Sequence, residues 1–109
     1  MRIWDIQTSK LCKNHLLGEH RELHAIWTIL TKNKKGYANH PETKRWVGKL
    51  NALYIRHEQE VDEMLKRGYS HKSPLERKGA IGQKIQDILL HSLIEQRNIL
   101  RNKFCNCNI

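Results

Sequence analysis

At 109 residues and 13.0 kDa the chain has room for one domain around a single core, which excludes a multidomain architecture. Twenty Lys and Arg against 11 Asp and Glu give a formal net charge of +9, spread along the whole chain, and this balance points to a polyanion, nucleic acid before an anionic membrane surface. No apolar run of about 18 residues occurs and the opening MRIWDIQTSK has no apolar stretch, so neither a membrane span nor a signal peptide is expected, and three cysteines fit a reducing, cytoplasmic setting.

Between Ser9 and Lys32 only Gly18 interrupts, and Leu16, Leu23, Ile26, Trp27 and Leu30 recur at helical spacing, which predicts a first helix over that span. The loop NKKGYANH follows. Pro41 suits the first turn of a second helix, whose stripe runs Trp46, Leu50, Leu53, Tyr54, His57, Val61, Met64 and Leu65 until Gly68 ends it. Ser73-Pro74-Leu75-Glu76 has the pattern of a capping box and predicts a third helix, continued by Ile81, Ile85, Ile88, Leu89, Leu93 and Leu100. The expectation is an all-α domain, residues 1–109, of three main helices around one core, with residues 103–109 a frayed tail.

On the first helix, Glu19 and His20 fall within the edges of the buried stripe, while Glu22 and His15 lie on its shoulder. A carboxylate half-removed from water needs a partner or a task. Paired with Lys or Arg, both acids would be structural; facing a groove that attracts phosphate, one would serve where positive charge develops. The cations Lys32, Lys34, Lys35, Lys44, Arg45 and Lys49 form a cluster suited to phosphates. His20 and His24 are four apart, but HRELH lacks the zincin order, so they read as ordinary helix histidines, and His57 as a hydrogen-bonded core histidine. Cys105-Asn106-Cys107 has no second ligand pair nearby in sequence.

HLLGEHRELHAIW, with RHEQEVDEMLKRGYSHKSPL and the Met-Arg-Ile start, resembles the pyrimidine-dimer DNA glycosylases of the phage endonuclease V type over roughly the first three-quarters of the chain. The resemblance implies a compact all-α enzyme that cuts the glycosidic bond of a cyclobutane pyrimidine dimer and then nicks the backbone by β-elimination. It implies the α-amine of Met1 as nucleophile and Glu22 as the essential acid, with Arg2, His15 and Arg21 toward the DNA, joined from the basic cluster by Lys34, Lys35 and Arg45. No metal or organic cofactor is implied. A third family arginine, four residues after Arg21, falls on Ala25. Because Arg2 is bulky, Met1 is expected to be retained. The expected partner is double-stranded DNA with ultraviolet photoproducts or abasic sites, bound by a monomer. Tyr37, Trp46 and Phe104 are the aromatic residues considered for stacking in the lesion, with Trp46 assigned to the core and Tyr37 preferred. Two alternatives stand beside this reading: a non-catalytic DNA-binding module, and a metal-dependent hydrolase using His15, Glu19 and Glu22.

Overall fold

A computed structural model of the chain describes residues 2–103 and 105–109, so Met1 and Phe104 lie outside the described residues. The described residues contain helices and no strand. A 3₁₀ turn at Thr8–Lys10 leads into α1 (Lys13–Lys32); α2 (Pro41–Lys44) is a single turn; α3 (Leu50–Lys66) and α4 (Leu93–Arg101) complete the set. None is long and apolar enough to cross a membrane.

Helices α1 and α3 carry the core in two apolar clusters. Leu23, Ile26 and Trp27 of α1 meet Ala52 and Leu53 of α3, with Ile3 and Trp46, while Leu16 meets Met64, with Trp4, Ile6, Leu11 and Leu100. The start of one helix therefore pairs with the end of the other, an antiparallel arrangement. Along both helices a polar layer separates the clusters: Glu19 and His20 on α1, His57 and Glu60 on α3, all buried.

The expected second helix is broken in two. Gly48 takes φ 75°, a left-handed conformation that ends the turn after α2 before α3 begins. The stop at Gly68 is as read: it has φ 80°, and the Gly68 and Tyr69 amides donate to Leu65 and Met64 carbonyls.

The third helix needs a larger correction. Residues 73–91 are not helical apart from a 3₁₀ turn at Arg77–Gly79, and the capping box belongs to Ser92 and Glu95, which exchange both hydrogen bonds at the start of α4. The reason lies in α3, whose N-terminus has no side-chain cap. Its orphan Asn51 and Ala52 amides donate instead to the carbonyls of Ile81 and Gln83, at 2.7 and 2.9 Å. The backbone there is spent as a cap and cannot coil. Ile81, Ile85, Ile88 and Leu89, expected in a buried stripe, are exposed.

Gly82 makes that approach possible. Its φ is 86°, and an added Cβ would lie 2.2 Å from the Gly48 carbonyl oxygen. Gly82→Ala should cost about 2 kcal/mol or more in urea unfolding. Unchanged stability would show that the 81–83 segment is not needed against α3.

The two ends of the chain meet. The Asp5 amide donates to Gln96 Oε1, Gln96 Nε2 donates back to Asp5 Oδ2, and the Asn108 amide donates to the Lys10 carbonyl. Cys107 and Ile109, in the segment expected to fray, pack against the second apolar cluster.

Candidate active site

Helix α1 gives its two acids different surroundings. Glu19 is buried and saturated: Oε1 accepts from the Trp4 amide at 2.7 Å and Arg56 Nη2 at 2.9 Å, and Oε2 accepts from Arg56 Nε at 2.8 Å. Burial pushes its carboxyl up, with Arg56 pulling the other way. Beside it, burial lifts Glu60 to about 7. Glu22, one turn on, is half-buried and has no side-chain partner among the described residues. It lines an open cavity of about 490 Å³ together with Arg2, Trp4, His15, Glu19, His40 and Lys103.

Three side chains of that cavity, Arg2, His15 and His40, are held by local contacts. Arg2, the residue bonded to Met1, lies with its guanidinium 4.7 Å from the Trp4 ring centroid, and its Nη1 is 3.4 Å from His91 Nδ1. His15 meets Trp4 edge-on, and its Nδ1 lies 3.2 Å from the sulfurs of both Cys12 and Cys107. His40 caps α2, its Nδ1 accepting from the Glu42 amide. Neither His40 nor Lys103 was singled out in the sequence. His40 carries a signal in hindsight, since it sits directly before Pro41 where a helix cap belongs; Lys103 carries none.

Arg21, Lys34 and Lys35 are exposed, as are Lys32 and Lys44. Arg45 is not. It is 3 % exposed, and its guanidinium donates to Glu42 at 2.6 Å, to Asp5 at 3.1 Å and to the carbonyls of Ile3 and Ile88. An arginine expected to meet phosphate instead ties the N-terminal segment to α2. Lys49 is likewise buried and paired with Asp87. Arg45→Ala would strand Glu42 without its cation and should cost about 3–5 kcal/mol in chemical denaturation. A loss under 1 kcal/mol, by the same measurement, would mean that the arginine is dispensable to the fold.

Trp46 is buried in the core and donates from Nε1 to Glu42. Tyr37 is 71 % exposed, at φ 58°. Glu19, held by Arg56 and Trp4, is not free to join His15 and Glu22 as a ligand set, and among the described residues those three form no metal-type cluster. Two other groups of ligand-type side chains do converge: Cys12, His15, Cys105 and Cys107, and His20, His24, His57 and His71.

In this basic all-α domain Glu22, without a side-chain partner among the described residues, thus faces a cavity that Arg2 also lines. The family model described as pyrimidine dimer DNA glycosylase matches residues 1–77. The chain belongs to the pyrimidine dimer DNA glycosylase family. No curated protein and no solved structure matches it. Within the glycosylase family match lie α1, α2, α3, Glu22 and all four converging histidines; α4, Lys103 and Cys105 to Cys107 fall beyond it.

Proposed function

We propose that the chain is a DNA repair glycosylase that removes cyclobutane pyrimidine dimers and carries abasic-site lyase activity, with the amine of Met1 as nucleophile and Glu22 as the acid. One observation carries this reading beyond family membership: among the described residues Glu22 is the acid of α1 without a side-chain partner, and it lines the same cavity as Arg2.

The chemistry follows from the groups. A Schiff base at the sugar C1′ needs an unprotonated amine; an α-amine titrates at about 7.7–8.0, against about 10.4 for lysine, and so supplies one at neutral pH. As the base leaves, the sugar gains oxocarbenium character, which a nearby carboxylate stabilises. The amine bonds to C1′ and loses its protons as the C1′–O4′ bond breaks, O4′ leaving as a hydroxyl and the opened sugar holding an imine. Loss of a C2′ proton expels the 3′ phosphate, and Glu22 is suited to move protons in these steps. Exposed Arg21, Lys34 and Lys35, with Arg2 and Lys103 at the cavity, supply phosphate contacts in the place of buried Arg45. The working unit is a monomer on duplex DNA carrying photoproducts or abasic sites.

The test is borohydride trapping. Untagged protein of verified N-terminal mass, mixed with a duplex containing one thymine dimer and reduced, should give a covalent adduct that maps to the Met1 amine. Salt-sensitive binding without an adduct, on this duplex and on an abasic one, would instead mark the protein as a DNA-binding module.

A further inference from the structure

Four histidines from α1, α3 and the segment after α3 turn one ring nitrogen each toward a common point, all within 4.8 Å of one another. His24 Nε2 lies 3.2 Å from Nε2 of both His20 and His57. Two of these rings are oriented from behind: His20 Nδ1 faces Glu60 Oε1 at 2.9 Å, and His57 Nδ1 faces Glu58 Oε1 at 3.0 Å. With each carboxylate accepting an Nδ1–H, the two Nε2 atoms carry lone pairs turned toward His24. His24 has a single Nε2 proton to offer and satisfies one of them. His71 Nε2 is buried with no hydrogen-bond partner. Hydrogen bonding alone leaves this buried centre short of donors.

We propose that His20, His24, His57 and His71 hold a structural divalent transition-metal ion, zinc by the donor set. Separations of 3.2 Å match the roughly 3.3 Å edge of a tetrahedron with metal–nitrogen bonds of about 2.0 Å. Glu60 and Glu58 are the outer carboxylates that metal-bound imidazoles commonly use. Four protein ligands leave no open position for water, so the ion braces the fold instead of reacting. It fastens His71, on a stretch without helix, to both long helices.

A second set rests on separate observations. Cys12 and His15, spaced C-x₂-H at the start of α1, meet Cys105 and Cys107, spaced C-x-C near the other end, with all four donor atoms within 4.8 Å. His15 Nδ1 is 3.2 Å from two of the sulfurs, and the Cys12 amide donates to Cys107 Sγ at 3.1 Å. We infer a Cys₃His zinc site that clips the two ends of the chain together.

Elemental analysis of untagged protein, purified without chelators from zinc-supplemented cells, should find two equivalents of zinc. The folded C12S/C105S/C107S variant should keep one, with an X-ray absorption first shell of nitrogen only, and adding H24Q/H71Q should remove it together with the rise in Tm on zinc addition. Failure of that cysteine-free variant to take up zinc, or a first shell other than four imidazoles, would overturn the histidine site. The absorption spectrum decides this even where H24Q/H71Q fails to fold. For the cysteine site, cobalt-loaded wild type should show a sulfur-to-metal charge-transfer band that the triple variant lacks. A sulfur-free first shell in wild type, or a Cys12–Cys107 disulfide by mass spectrometry under non-reducing conditions, would overturn it.

Discussion

Glu22→Gln should lower glycosidic cleavage of a cyclobutane thymine dimer by about 10²–10³-fold while leaving the affinity for the damaged duplex almost unchanged. Glutamine keeps the size and the polar end of the side chain but removes the charge that faces developing cationic character. The fold should tolerate the change, because Glu22 is half-buried and takes no side-chain partner among the described residues. Single-turnover kinetics with binding measured in parallel separates the two quantities. Wild-type turnover in the variant would remove Glu22 from the mechanism. Glu19→Gln offers the contrast: it breaks a buried pair with Arg56, so its loss should register in stability.

Blocking the N-terminal amine should have the larger effect. Acetylation at Met1, or an extension of the chain before it, removes the nucleophile and should bring strand nicking to background, while binding keeps most of its strength and its salt slope. A gel assay for nicking and a filter assay for binding, over a salt series, check both halves. If nicking survives the block at full rate, a lysine must form the imine, and Lys103 at the same cavity is the first to test.

What could be read from the sequence was set by local signals. α1 and the stop at Gly68 were visible because periodicity and a left-handed glycine act within a few residues. The break at Gly48 was not, since its apolar flanks on either side keep step with one helix. Ser73-Pro74-Leu75-Glu76 misled because a capping pattern is equally available to a segment whose carbonyls are claimed from a distance by the α3 amides. At the site, Glu22 and Arg2 were legible through one motif, and both line the cavity. Arg45 was not, because a buried arginine and a phosphate-binding one look alike until Glu42 and Asp5 close on it. His20 and His24 read as ordinary helix histidines and His57 as a core one; the convergence of His57 and His71 on them is a tertiary fact.

The bonding of Asp5 to Gln96, and of Asn108 to Lys10, gives the order of synthesis a consequence. Asp5 and Lys10 leave the ribosome long before the residues that complete their bonding. Until α4 has emerged Asp5 lacks Gln96, while Ile3 and Trp4 can already settle against Arg45 and Glu19. The α1–α3 core can therefore assemble during synthesis, and the arrival of α4 and Asn108 fastens it shut.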